Sequence, residues 1–294
     1  MIRSGPACGN DVKPGRAPDC ARAPMERPDM LLTDTQIADF QRDGVVMIPG
    51  ALADWVDVIR AGIDRNMAEP GEYASENAVS EGRFFDDYCN WQRIPEFERI
   101  IRDSPAAALA AAAMQSGTAQ IFHDHVLVKE PGTPKPTPWH QDAPYYFVEG
   151  TQTASLWIPA DPVEEASLRF IAGSHKWERM VRPVSWADDS DFYDGKQDWV
   201  PVPDPDANPD ETRVLEWTMA PGDAVIFDYR TAHGARGNRT TSRRRALSLR
   251  FVGDDARYVE RPGRTSPPFP GHDMAPGQRL RDDWFPVVFD TGSA

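Results

Sequence analysis

The sequence predicts a mainly β, α+β fold: an antiparallel β-barrel or sandwich with N-terminal helices packed outside one face. Helical periodicity is confined to roughly the first 117 residues, and short β-type runs separated by Pro/Gly turns fill most of the remainder. Helices first and strands after is not the alternation of a parallel β-α-β sheet. The chain also has 28 Pro and 21 Gly, a density of turns that disfavours a helix bundle. At 294 residues it fits one large domain, since all-β barrels often run past about 200 residues as one unit.

Residues 1–30 are rich in Pro, Ala, Gly and Arg, hold no apolar run that could form a signal-peptide core, and read as a disordered extension before a single domain over residues 31–294. Thr33-Asp-Thr-Gln36 has the form of a capping box, and Ile37 and Phe40 follow on one helical face. Asp43-Gly44 turns the chain into a strand from Val45 to Ile48. Leu52, Trp55, Val56, Ile59, Ile63 and Met67 then recur at helical spacing and read as a core-facing stripe. Residues 70–103 read as irregular. Ser104 as N-cap, Pro105 at the first helical position and Gly117 past the end bracket an alanine-rich helix. Strands are expected at Gln120 to Lys129, Thr153 to Ile158, Leu168 to Ile171, Ala224 to Tyr229 and Ala246 to Val252, with Asp204 to Thr212 as an exposed acidic loop.

Composition excludes several functions. The 32 Lys+Arg against 46 Asp+Glu leave a net charge of −14. That field repels phosphate backbones and anionic lipid, so neither nucleic acid nor a membrane surface is expected as partner. No stretch reaches the roughly 18 consecutive apolar residues of a membrane span. Cys8, Cys20 and Cys89 show no metal spacing, and the chain reads as soluble and cytoplasmic.

The histidines hold the chemistry. His140 and Asp142, in Pro136-Thr-Pro-Trp-His-Gln-Asp142, stand two apart at a strand end, so they point the same way and can serve as adjacent ligands of one metal. A single His-x-acid pair is expected by chance in so acidic a chain, so the weight falls on a third residue. His233 follows the strand-like Ala224-Val-Ile-Phe-Asp-Tyr229 and a turn, and an antiparallel barrel can bring it beside His140. Two His and one carboxylate form the facial triad of mononuclear non-haem Fe(II) sites, which leaves room for a chelating cosubstrate and O2. Zn would close a tetrahedron with water instead, and the triad alone leaves the metal open. Arg244 begins Arg244-Arg-Ala-Leu-Ser-Leu-Arg-Phe251, where alternation puts Arg244, Ala246, Ser248 and Arg250 on one face. A guanidinium facing into a barrel needs an anion, and the distal carboxylate of a 2-oxoacid fits its fork. The rival reading is a solvated turn of Arg239, Arg243, Arg244 and Arg245.

Together, Trp139-His-Gln-Asp-Ala-Pro-Tyr-Tyr146, Leu156-Trp-Ile-Pro159, Leu168-Arg-Phe-Ile-Ala-Gly-Ser-His175 and Gly222-Asp-Ala-Val-Ile-Phe227 through His233 to Arg244 resemble the phytanoyl-CoA dioxygenase family of Fe(II)/2-oxoglutarate oxygenases, over about residues 33–256. The resemblance implies a double-stranded β-helix (jelly-roll, cupin-like) core. It implies His140, Asp142 and His233 as iron ligands, Arg244 as the 2-oxoglutarate clamp, Trp157 lining that site, and His125 at a strand position whose counterpart in relatives contacts the cosubstrate. Fe(II), 2-oxoglutarate and O2 are the implied cofactors, and ascorbate is admitted as a reductant. The implied reaction hydroxylates or otherwise oxidises an unactivated C–H bond of a small-molecule metabolite and releases succinate and CO2. Departures are Glu164-Glu-Ala-Ser167 where Asn-Gly is usual, Ala172 in place of Pro, and Ala235 where some relatives place a hydroxyl. Asp142 is the carboxylate that related halogenases lack.

Two other readings stay open. His123, His125 and Glu130 after Gly117 fit the first half of a cupin metal motif, although no Pro-x-Gly precedes His233 and Asn238 lies one residue too far from it. The other is a non-catalytic binding barrel. The substrate is not written in the sequence: Phe84, Phe85, Trp91, Trp139, Tyr145, Tyr146, Phe147 and Trp217 are available to line a pocket, and an inward-facing Arg250 or Lys129 to select an anionic group. The oligomeric state is likewise open.

Overall fold

The computed structural model describes residues 31–76, 82–164, 167–185, 190–194, 198–210 and 212–293; the expected disordered extension of residues 1–30 lies outside them. Four helices, α1 (Asp34–Asp43), α2 (Val56–Ala68), α3 (Pro95–Asp103) and α4 (Ala106–Met114), fall in the first part of the chain. The capping box forms as expected, with the Thr33 hydroxyl accepting from the Gln36 amide and the Gln36 side chain accepting from the Thr33 amide. Gly44 ends α1 at φ 76°, and a Cβ there would meet His175 and Thr231 side chains at 2.4 Å, so both conformation and space require glycine. The stretch read as irregular instead contains α3, whose buried Phe97, Ile100 and Ile101 are spaced i, i+3, i+4. Ser104 is the C-cap of α3 and Pro105 the N-cap of α4. That helix stops at Gln115, which takes the left-handed conformation itself, two residues before the Gly117 expected to mark the end.

The strands are β1 (Val45–Ile48), β2 (Ser75–Glu76), β3 (Phe84–Tyr88), β4 (Thr118–Lys129), β5 (Thr137–His140), β6 (Val148–Glu149), β7 (Thr153–Pro159), β8 (Leu168–Ile171), β9 (Val214–Glu216), β10 (Ala224–Phe227), β11 (His233–Ala235), β12 (Arg244–Val252), β13 (Arg257–Tyr258) and β14 (Val287–Asp290). One sheet runs β1-β10-β7-β12-β4-β3-β2, with β14 also on β4; a second runs β5-β11-β8-β9, and β13 pairs with β6. The ladders between these strands are antiparallel.

Alternation gives the large sheet two faces. Val46, Val126, Val128, Leu156, Ile158, Leu247 and Leu249 form one core with Phe40, Ile59, Ile63, Phe97 and the alanines of α4. On the opposite face, Val225, Phe227, Trp157 and Ala246 meet Leu168, Phe170 and Ala235 of the small sheet, which defines a lumen between the sheets. The register sets side chains of the inner face on rungs. Arg244, Lys129 and Phe84 share one rung, Ser248, Trp157, His125 and Tyr88 another, and Arg250, His123 and Ser155 a third. A third cluster of Phe122, Tyr145, Tyr146, Phe147, Tyr229 and Phe285 closes the end nearest the third rung.

Candidate functional site

His140 ends β5 and His233 begins β11, and the two are direct cross-strand partners. Asp142 lies at the turn two residues beyond His140. One donor atom from each of these residues lies within 4.8 Å of the other two, and all three residues are buried. Asp142 Oδ1 stands 3.7 Å from His140 Nε2 and 3.9 Å from His233 Nε2. Each imidazole is oriented by its other nitrogen, since Nδ1 of His140 lies 2.8 Å from the Pro138 carbonyl oxygen and Nδ1 of His233 lies 2.9 Å from that of Thr231. A carbonyl only accepts, so Nδ1 carries the hydrogen and Nε2 turns its lone pair to the shared point. The rings are packed by Phe227, centred 4.6 Å from His233, and by Tyr145, centred 6.2 Å from His140.

The electrostatics keep these donors in ligand form. Burial, then His233, hold His140 down to about 3, and burial likewise lowers His233. Burial by itself would raise Asp142, but Arg250, then His233 and His140, bring it to about 2. Two neutral imidazoles and one carboxylate on one side of a buried point fit a divalent first-row metal that keeps other positions open. Asp142 Oδ2 points away from that point, accepting from Ser155 Oγ at 2.9 Å and facing an Arg250 nitrogen at 3.7 Å. Arg250 also donates to the Tyr146 hydroxyl at 3.1 Å. The guanidinium expected to select a substrate anion is therefore engaged with the triad carboxylate.

The first rung of the lumen is different. Arg244 is 4% exposed and its Nε has no hydrogen-bond partner, which rules out the solvated-turn reading for this residue. Its guanidinium carbon sits 5.6 Å from the centre of the Trp157 ring, and burial, opposed by Asp161, brings its pKa to about 10. Trp157 Nε1 and Ser248 Oγ are also buried without partners. Three buried polar atoms on neighbouring rungs of one wall thus lack a protein partner, and a polar ligand would supply one. Neighbouring Arg243 and Arg245 instead pair with Glu130 and Asp161. Lys129 is fully buried, its Nζ 3.2 Å from the Lys135 and Arg236 carbonyls and from Thr137 Oγ1, so it ties β4 to the small sheet and is not free to select an anion.

His125 lies on the second rung, its Nε2 3.4 Å from Asp86 Oδ2. The cupin alternative fails on placement: among the described residues only His140, Asp142 and His233 gather as a potential metal cluster, and Glu130 is bound to Arg243. Sequence reasoning missed the roles of Ser155 and Arg250 at Asp142. Alternation placed Arg250 inward, but nothing in the chain order marks Asp142 as its partner.

The sequence pattern of the family described as Phytanoyl-CoA dioxygenase (PhyH) matches residues 40–246. Ectoine dioxygenase of Stutzerimonas stutzeri (strain A1501) is 25% identical over 222 residues, which cover 71% of this chain and 72% of that protein. Among solved structures, the non-heme alpha ketoglutarate dependent carbocyclase SnoK from nogalamycin biosynthesis superposes with a TM-score of 0.68 at 23% identity, covering 87% of this chain and 96% of that one. EctD from S. alaskensis with 2-oxoglutarate and 5-hydroxyectoine gives 0.63 at 19% identity, covering 87% and 89%. At these identities the two structures establish the shared fold.

Proposed function

The chain belongs to the phytanoyl-CoA dioxygenase family and is an Fe(II)- and 2-oxoglutarate-dependent dioxygenase, and from that premise we propose that His140, Asp142 and His233 hold the iron and that Arg244 and Trp157 receive the cosubstrate. The observation that carries the assignment is the convergence of His140 Nε2, His233 Nε2 and Asp142 Oδ1 on one buried point, with both Nδ1 atoms anchored on carbonyl oxygens. The domain responsible is proposed to span residues 31–294.

Bound iron, with 2-oxoglutarate and O2, supplies the oxidising chemistry that converts the cosubstrate to succinate and CO2 and oxidises a C–H bond of the primary substrate. The chain's residues orient the reactants and keep water out. Ser155 and Arg250 hold Asp142 Oδ2, which leaves Oδ1 as the atom that would ligate the metal. The Arg244 fork would hold the distal carboxylate of 2-oxoglutarate, while Trp157 Nε1 and Ser248 Oγ have hydrogen bonds that no protein atom takes up. His125, on the same rung as Ser248, borders this region. Phe170, Phe227 and Ala246 line the lumen and keep its dielectric low, so each of these polar contacts gains strength.

The primary substrate is proposed to be a small-molecule metabolite, in keeping with relatives named for ectoine and for nogalamycin biosynthesis. With Asp142 in place the outcome is hydroxylation or a related oxidation. We propose a cytoplasmic enzyme that admits ascorbate as a reductant; the free Cys89 thiol is compatible with a reducing compartment. The test is metal titration with succinate assay. His140→Ala and Asp142→Ala each remove a donor atom, so each should weaken Mn(II) or Fe(II) binding by more than the about 10–100-fold that loss of an outer hydrogen-bond partner costs, and abolish substrate-stimulated succinate formation. Full retention in either variant defeats the assignment.

A further inference from the structure

An open cavity of about 490 Å³ is walled by Tyr88 of β3, by Phe192, Tyr193 and Asp194, and by Arg264 and Ser266 of the loop that follows β13. Its walls reach the site described above from two sides. Tyr88 is the strand partner of His125 on the second rung, and their ring centres are 5.5 Å apart. Phe192 packs on Tyr145 at 4.9 Å, and Tyr145 in turn packs on His140 at 6.2 Å. The Tyr193 hydroxyl donates to the carbonyl oxygen of Pro144, two residues past Asp142, at 2.9 Å. The cavity thus adjoins residues that touch the metal donors on one side and the cosubstrate wall on the other.

The neutral hydroxyls of this wall are engaged. The Tyr88 hydroxyl shares a hydrogen bond with Ser266 Oγ at 3.2 Å, and Thr265 Oγ1 donates to the Pro267 carbonyl oxygen at 2.9 Å. Burial raises both phenols, Tyr193 to about 12, so they stay uncharged. The two charges are not engaged. Arg264 and Asp194 are exposed, line the same cavity, and among the described residues have no hydrogen-bond or ion-pair partner. Their neighbours in sequence behave otherwise: Arg261 binds Glu149 and the Tyr146 carbonyl oxygen, and Asp191 binds Arg182. Arg264 acts electrostatically on Tyr88 and on Tyr73, whose ring stacks on that of Tyr88 at 4.9 Å, while Asp194 follows Phe192 and Tyr193. A free cation and a free anion therefore stand on different segments of one wall.

We propose that this cavity receives the primary substrate and that the substrate is a small zwitterion, its carboxylate taken by Arg264 and its ammonium by Asp194 with the rings of Phe192 and Tyr193. The inference rests on the oxygenase reading given above and names the substrate class for it. A guanidinium fork matches a carboxylate, and an ammonium gains from a carboxylate and from an aromatic face alike. A bare anion would meet Asp194 in a chain of net charge −14, and a bare cation would meet Arg264. A molecule with both charges pairs each and is repelled by neither. A volume of about 490 Å³ suits a small metabolite.

The test is calorimetric titration of the full chain, loaded with Mn(II) and 2-oxoglutarate, with four matched flexible probes: 6-aminohexanoate, hexanoate, hexylamine and 1-hexanol. At low salt the zwitterion should bind about fivefold tighter than either singly charged probe, the scale of one exposed ion pair. In Arg264→Gln its advantage over hexylamine should vanish while its advantage over hexanoate stays. In Asp194→Asn the two outcomes should exchange. Both residues are exposed, so neither substitution disturbs the core. The inference is overturned if no probe binds, if hexanoate, hexylamine or hexanol binds as tightly as the zwitterion, or if either substitution leaves its own advantage unchanged. Titration of 2-oxoglutarate into the Mn(II)-loaded wild type scores the oxygenase reading separately; absence of binding there sinks that reading, and the ranking of probes still decides the cavity.

Discussion

The two ends of the lumen are built on opposite terms. At the metal end, each triad residue has a protein partner that holds it in place: two carbonyls on the imidazoles, Ser155 and Arg250 on the carboxylate. At the Arg244 end, Arg244 Nε, Trp157 Nε1 and Ser248 Oγ are buried with no partner. The metal end is finished before its ligand arrives, so binding there orders little that is not already ordered. On the proposed assignment the Arg244 end would be finished by its ligand, which would relieve the cost of the buried atoms that lack partners. One end binds by preorganisation and the other by relief.

Substitutions should therefore act with different signs at the two ends. The largest effect is expected from His233→Ala, which removes a metal donor and should lower Fe(II)-dependent succinate formation by about a thousandfold or more. Retention of a tenth of the activity would break the comparison. Arg244→Met should come next, raising the KM for 2-oxoglutarate by about a hundredfold with a smaller change in kcat, because a buried charged pair is lost on binding. The same variant deletes a buried cation whose Nε has no partner, so the ligand-free protein should melt at a higher temperature while the stabilisation given by saturating 2-oxoglutarate disappears. Thermal melts with and without cosubstrate read both signs, and a lower melting temperature for the ligand-free variant would show that Arg244 is satisfied before binding. Ser155→Ala sharpens the metal end. Arg250 remains on Asp142 Oδ2, so metal affinity should fall by only about tenfold in a competition titration.

The metal end was the more legible in sequence. His140 and Asp142 share a short motif, and Arg244, Ser248 and Arg250 follow from strand alternation over a long segment. The strands that join the two histidines were not legible, because β5 contains Pro138 and β11 has only three residues, too short for a period to show. The α3 helix was missed although Phe97, Ile100 and Ile101 carry its period; the aromatic cluster before it masked the change. Orphaned atoms were beyond reach altogether. The partnerless state of Arg244 Nε, Trp157 Nε1 or His123 Nε2 is a property of what packs nearby, and sequence reveals only that such residues face inward.

The smallest effect separates the ends along the pH axis in the metal-free protein. His140 is held at about 3 by burial and then by His233, against an ordinary value of 6.5. The unfolded chain takes up a proton at this residue below about pH 6.5, whereas the folded chain does not until about pH 3. The folded state therefore loses stability as pH falls through that interval. Asp142, brought to about 2 from 3.8, acts only lower: its contribution is present above 3.8 and lost as pH falls through about 2. Arg244, at about 10, does not titrate near either interval. His140→Asn keeps an N–H for the Pro138 carbonyl and removes the titration. Between pH 6 and 5, urea unfolding of the metal-free wild type should lose about 1 kcal/mol more than the variant, while Arg244→Met should parallel the wild type. Equal slopes in wild type and His140→Asn would mean that the folded imidazole already takes up its proton near pH 6, and that the metal end is less dry and less finished than its geometry states.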